Sequence, residues 1–187
     1  PMTIDPSLIK DAEEDVVYLN IKENMEDGKS QTWFKYGSML AEDFSFDYIA
    51  KVDSDSLFFI PQFLEYVDRT LKPYPHNERV YGGVPFYDNS CNVNETNQTH
   101  ACPLPLLGPY YFSGEFYYMS PDLAAYIASD QVDRKQLAVY HEDVDIANFV
   151  FSHPKKITSF PIEYRHVLRY PNMDANKQKT DLTFNDT

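Results

Sequence analysis

Short apolar runs alternate along this chain with segments whose apolar residues recur every three or four positions. No other feature narrows the fold as far, because the runs make strands and the spaced segments make helices that must cover them. Residues 15–20 read as a short buried strand, followed by a polar loop through Gly28. From Ser30 onward the spacing of Trp33, Tyr36, Gly37 and Leu40 predicts a helix. Residues 47–52 form the next strand, which ends abruptly in Asp53-Ser54-Asp55. Pro61 suits a first helical turn, with Phe63, Leu64, Val67 and Leu71 on one side of that helix. Strands follow at 79–84 and, rich in aromatics, at 109–119. Ser120 and Pro121 fit the N-cap and first position of a helix through Ala128. A last helix starts near Glu142 and turns Val144, Ala147, Val150 and Phe151 inward. The expectation is an α/β fold, a three-layer α/β/α sandwich around a mainly parallel sheet. Residues 1–171 read as one domain and the polar residues 172–187 as a loose tail, with no internal repeat.

Composition removes competing classes. The 187 residues carry a formal net charge of −13, against which a phosphate-binding basic face is hard to assemble, so no nucleic-acid partner is expected. Thirteen Phe, fifteen Tyr and one Trp supply apolar mass that a disordered acidic chain lacks. No run approaches the ~20 apolar residues of a membrane span, so any membrane anchor would lie outside this chain. Cys91 and Cys102, the two cysteines, bracket a polar insert holding the sequons at Asn94 and Asn97, and a third sequon begins at Asn185. The pair reads either as free thiols in a surface loop or as a disulfide closing it. The three sequons favour the oxidising, lumenal alternative.

Four constellations can carry chemistry. Asp53-Ser54-Asp55 places two carboxylates just past a buried strand, where open α/β sheets hold ligands, and such hard oxygens suit Mg²⁺ or Mn²⁺. Taken alone, the same triplet is ordinary turn chemistry. In Tyr111-Phe112-Ser113-Gly114-Glu115, a glycine inside a strand marks a bulge or a close approach of ligand to backbone. The flanking aromatics suit either sugar rings or an edge strand of stacked rings. His141-Glu142-Asp143-Val144-Asp145 opens a helix, where acids commonly complement the helix dipole and cap its free N–H groups. The functional alternative makes one of these carboxylates a general base. His166, in a downstream basic segment, is the fourth candidate.

In order and spacing, these segments resemble the β-1,3-galactosyltransferase family (glycosyltransferase family 31, which includes the Fringe-type enzymes). Lys51-Val52-Asp53-Ser54-Asp55-Ser56-Leu57-Phe58 is similar to its K-x-D-D-D-x-F strand end. Pro109-Tyr110-Tyr111-Phe112-Ser113-Gly114, followed by Tyr118-Met119-Ser120-Pro121-Asp122-Leu123-Ala124, resembles its Y-x-S-G and S-x-D-L-A segments, and Glu142-Asp143-Val144 its E-D-V element. The resemblance implies a GT-A fold and inverting, metal-dependent transfer of a hexose, galactose or N-acetylglucosamine, from a UDP-sugar to a glycan or glycoprotein acceptor. On that analogy Asp55 and Asp53 hold Mn²⁺ or Mg²⁺ with His166 as the distal ligand. Ser54, Ser113 and Gly114 line the donor site, and Asp143 deprotonates the acceptor. It also implies a Golgi or other secretory-pathway lumen, with type II anchorage in the full-length protein. The chain departs from the family at Ser54, where a middle Asp is usual, and at Glu115 and Phe116, where the family is Gly-rich. Asp145 and Ile146 follow the E-D-V where a Gly often lies nearby, and the strand that opens a GT-A nucleotide-binding half is missing before Asp15. These departures leave open a non-catalytic glycan- or partner-binding module on a decayed transferase scaffold. A glycoside hydrolase with paired carboxylates is a third, weaker reading.

Overall fold

The computed structural model describes residues 17–22, 28–54, 56–73, 76–86, 107–108, 110–162 and 168–169. Its elements run α1 (Lys29–Phe44), β1 (Ile49–Val52), β2 (Leu57–Phe58), α2 (Ile60–Thr70), β3 (Val80–Phe86), β4 (Tyr111–Met119), α3 (Pro121–Ala128), α4 (Arg134–Leu137), α5 (Glu142–Phe151), β5 (Thr158–Pro161) and β6 (Leu168–Arg169). Four strands form one sheet in the order β1-β4-β3-β5, and β2 pairs with β6 in a second, two-stranded sheet.

The two faces of the sheet follow from alternation along β4. Tyr117 and Met119 point to one face, into a core with Phe34 of α1, Leu123 and Ile127 of α3, and Ile146, Phe149 and Val150 of α5. Phe116 and Tyr118 point to the other, where Phe63, Tyr66 and Val67 of α2 pack. Helices therefore cover both faces, which is the three-layer α/β/α arrangement expected. Each fully buried Phe or Tyr contributes roughly 2 kcal/mol of hydrophobic stabilisation, so the aromatic richness of the chain is largely spent in these two cores.

Strand direction is more mixed than expected. β1, β3 and β5 run the same way, and β3 pairs with β5 in parallel. β4, however, lies between β1 and β3 and is antiparallel to both. Parallel neighbours need a crossover, usually a helix, to carry the chain back to the starting edge. The sequence between β3 and β4 has prolines and sequons but no helical spacing.

Two further expectations are corrected, and a third holds with a different bond. Val17 to Asn20 form no strand, and Val17 and Tyr18 are exposed, because no described strand offers that run a ladder partner. Leu64 is exposed; the buried side of α2 is set by Phe63, Tyr66 and Val67 instead. Ser120 does sit at the N-cap of α3, but its hydroxyl makes no cap bond. It accepts the Val80 N–H at 3.0 Å, tying the helix start to β3.

Gly83 permits a close approach of β3 to the β4 backbone. A Cβ there would lie 2.7 Å from the Phe116 carbonyl oxygen and 2.8 Å from the Tyr117 Cα, both in β4 backbone that cannot swing aside. Gly83→Ala is therefore expected to lower the unfolding free energy by about 1–3 kcal/mol, measured by urea denaturation. A change within experimental error would contradict this packing.

Candidate active site

Lys51 is the one charged residue in β1, whose other members are Ile49, Ala50 and Val52. Period-two alternation puts it on the same face as Ile49, beneath the helices α1 and α5. Its side chain is only 13% exposed, and a cation so enclosed must be paired. The ammonium bonds Asp53 Oδ1 at 2.7 Å and the Gly114 carbonyl oxygen at 3.0 Å, and lies 3.7 Å from Glu142 Oε1. It also stands 5.6 Å from the centre of the Tyr117 ring, within cation–π range. The Ser30 hydroxyl, in the first turn of α1, donates to the same Glu142 oxygen.

A defect in the ladder makes this possible. Gly83 of β3 pairs with Tyr117, but Pro85 pairs with Phe112, so two steps along β3 correspond to five along β4. The surplus falls on the Ser113-Gly114-Glu115 segment, the bulge expected from a glycine inside a strand. There the Gly114 N–H turns away from the ladder and donates to Asp143 Oδ2 at 2.7 Å. Glycine is needed on steric grounds too. A Cβ at position 114 would come within 2.7 Å and 2.9 Å of the two Asp143 carboxylate oxygens and 2.9 Å of Lys51 Nζ.

Asp143 therefore serves the strand and leaves the N–H groups of its own helix alone, contrary to the capping alternative. His141, the N-cap residue of α5, makes no side-chain cap bond either. The acid that organises the helix start is Asp145, which is buried and accepts the Val139 N–H at 2.6 Å together with backbone bonds from Tyr140 and His141. Burial pushes the Asp143 carboxyl up to about 6. Lys51 and the Gly114 N–H pull it down, and the charges of Glu142 and Asp53 add to the rise. A carboxylate of that basicity is suited to accept a proton near neutral pH.

The structure thus gathers Asp53, Gly114 and Asp143 around one ammonium. Ser54 lies in the turn after β1 and Ser113 in the bulge beside Gly114, while Asp55 and His166 lie outside the described residues. Cys91, Cys102 and the three sequons also lie outside them. The backbone after β1 is fixed, since the Asp53 N–H donates to the Glu115 carbonyl at 3.3 Å and the Asp53 carbonyl accepts the Ser56 N–H at 3.1 Å. Asp53 is 39% exposed, and among the described residues its second carboxylate oxygen takes no hydrogen bond. That oxygen is hard, anionic and open, as a Mg²⁺ or Mn²⁺ ligand must be. The described residues contain no group of three or more His, Cys, Asp or Glu side chains that could hold a metal by themselves.

Two readings of the sequence change. The rings of Tyr111, Phe112, Phe116, Tyr117 and Tyr118 are buried in the core and do not form a sugar-facing wall. Lys51 and Ser30 belong to the site although sequence reasoning gave them no role, and Glu142, there one of the candidate bases, instead pairs with both. A lysine inside a four-residue apolar strand was the available signal for the first.

A mixed α/β sandwich that collects carboxylates at the carboxyl edge of a strand is a common architecture for enzymes acting on small polar ligands. The family is shown by comparison: the family model described as Galactosyltransferase matches residues 5–155. The chain belongs to that family, a family of transferases, and the match supports glycosyltransferase activity in general. Its mixed α/β architecture is compatible with the GT-A-like fold. No individual curated protein matches the chain. No helix among the described residues is long and apolar enough to cross a membrane.

The raised Asp143 pKa has a signed consequence for stability. A carboxyl at about 6 in the folded state, against an ordinary value of 3.8, binds its proton more tightly when folded. Its stabilising contribution is complete below pH ~4 and is lost as pH rises through 6. The stability difference between Asp143→Asn and wild type should therefore shift in favour of the variant by about 2–3 kcal/mol between pH 4 and pH 7. Paired denaturation curves across that range measure it, and a pH-independent difference would contradict the assignment.

Proposed function

We propose that this protein is a metal-dependent, inverting hexosyltransferase that moves galactose or N-acetylglucosamine from a UDP-sugar to a hydroxyl of a glycan or glycoprotein acceptor. The observation that carries the proposal is Asp143: a carboxylate anchored by the bulge of β4, raised toward neutrality, and within the field of Lys51, which pairs with Asp53. With Oδ2 held by the Gly114 N–H, Oδ1 is the oxygen that takes the proton of the acceptor hydroxyl. The acceptor oxygen then forms its bond to the anomeric carbon as the bond to the diphosphate oxygen breaks on the opposite face, which inverts the centre. Glu142 and Lys51 fix the start of α5, so that the base does not drift relative to the strand edge.

Asp53 and Asp55 would hold Mn²⁺ or Mg²⁺, with His166 as a further ligand. When bound, the cation supplies charge stabilisation to the departing diphosphate. The pairing of β2 with β6 supports the part given to His166, because it sets Leu168, two residues after His166, opposite Phe58, three residues after Asp55. Ser54, Ser113 and Gly114 would contact the donor. A net charge of −13 makes a divalent cation the natural bridge to an anionic nucleotide-sugar. Family membership supports work in the secretory pathway. There the Golgi lumen would be the setting.

Titration calorimetry should detect UDP-galactose or UDP-N-acetylglucosamine binding with Mn²⁺ present and none after chelation. Asp143→Asn should leave the donor Kd within about twofold while lowering kcat by at least about a hundredfold. Gly114→Ala should reduce transfer to a similar extent by displacing both Asp143 and Lys51. Glycan binding without metal dependence or donor turnover would replace this reading with that of a non-catalytic binding module.

A further inference from the structure

We propose that Tyr140 is the acceptor-recognition residue of this site, an exposed aromatic face on which a hexopyranoside ring stacks beside Asp143. The choice of ligand rests on the glycosyl-transfer reading above. Three non-glycine residues among those described have positive φ: Ser45 at 54°, Arg79 at 54° and Tyr140 at 61°. Ser45 is the C-cap of α1, where a left-handed residue is ordinary. Arg79 leads into β3 with its N–H held by both oxygens of Asp122, at 3.0 and 3.2 Å. Tyr140 is the only aromatic among the three, and its side chain is presented to solvent with 70% exposure.

The backbone around it is held in place. Asp145, 5% exposed, accepts the N–H groups of Val139, Tyr140 and His141. Val139 packs against the core of Tyr111, Val144 and Ala147. With its neighbours anchored, residue 140 is fixed in the left-handed region and its side chain is directed outward. Glycine or asparagine would adopt that conformation with less strain, and a polar side chain would suit that exposure. A tyrosine meets neither local demand, and among the described residues no ring stacks on it, which points to a ligand for its exposed face.

Location and chemistry say what that is. Three peptide units separate Tyr140 from Asp143, so their Cα atoms are within about 10 Å of each other. A pyranose ring of the galactose type has one face of C–H bonds, which fits the negative face of a phenol ring. The β4 rings cannot provide such a face because they are buried.

The test uses methyl β-galactopyranoside and methyl β-N-acetylglucosaminide as probes in saturation-transfer NMR with the full chain. Wild type should transfer saturation to the C–H protons of one sugar face. Tyr140→Asn and Tyr140→Gly, which relieve the backbone, should melt no lower than wild type yet weaken glycoside binding about tenfold or more. Tyr140→Phe should stay within about twofold of wild type, and Mn²⁺-dependent UDP binding should be unchanged in all three. Equal glycoside affinity in wild type and Tyr140→Asn would overturn the proposal, as would no glycoside binding by wild type. Loss of thermal stability in both relieved variants would show the ring to be structural and also overturn it. Absence of Mn²⁺-dependent UDP-galactose binding would instead defeat the glycosyl-transfer reading, while the NMR comparison still decides the part played by Tyr140.

Discussion

The ammonium of Lys51 is the contact on which the arrangement of the site depends. It is almost enclosed, and around it stand Asp53, Glu142 and the Gly114 carbonyl, with Asp143 close enough to feel its charge. At an effective dielectric near 20, two unit charges 4 Å apart interact by about 4 kcal/mol. Without the cation, three carboxylates on two elements would repel one another in a poorly solvated corner. With it, the end of β1, the bulge of β4 and the start of α5 are drawn to one point. The local balance is thus quite different from the overall excess of acid, and the charge of −13 says little about how this corner is held.

The ammonium could not act alone, because a regular ladder would occupy the backbone groups it needs. In an unbroken pairing the Gly114 N–H and carbonyl would be available to neighbouring strands. The extra residues in β4 release both groups, one toward Asp143 and the other toward Lys51. The absence of a side chain at Gly114 then lets the two charged groups close in. The site is therefore made by an irregularity in a strand whose other residues are among the most deeply buried in the protein. Rigid surroundings on both sides of a bulge hold its polar groups where an isolated loop would let them wander.

Much of this was legible in the sequence, for identifiable reasons. Helical spacing located the start of α1 and the span of α5, Ser120 and Pro121 located α3, and the short apolar runs located β1, β3 and β4. Gly114 announced the bulge because glycine is costly within a strand unless something needs the space. Asp143 could be named from its motif, but the motif could not separate a helix cap from a base. Nor could it show that the carboxylate meets a strand 29 residues upstream, a contact made only in three dimensions. The Ser30–Glu142 contact spans 112 residues, and no local pattern encodes it. The aromatics of β4 were ambiguous for the same reason, since a ring facing a sugar and a ring facing another strand's core look alike in one dimension. Strand direction failed because it depends on connections, and the connection into β4 has no periodicity to read.

The basicity of Asp143 shows why these features have to occur together. Burial alone would push the carboxyl higher and leave more of it protonated, less able to accept a proton at pH 7. Solvation alone would return it toward 3.8, where it is ionised but a weak base. A carboxyl pushed up to about 6 is a compromise in which Lys51 and the Gly114 N–H restrain the effect of burial without cancelling it. Loosening either restraint and exposing the group to water thus harm a base in opposite directions, one by protonating it and the other by weakening it. A site with that property tolerates little movement of α5 against β4, which gives a physical reason for the many contacts, from Ser30 to Asp145, that fix the first turn of that helix.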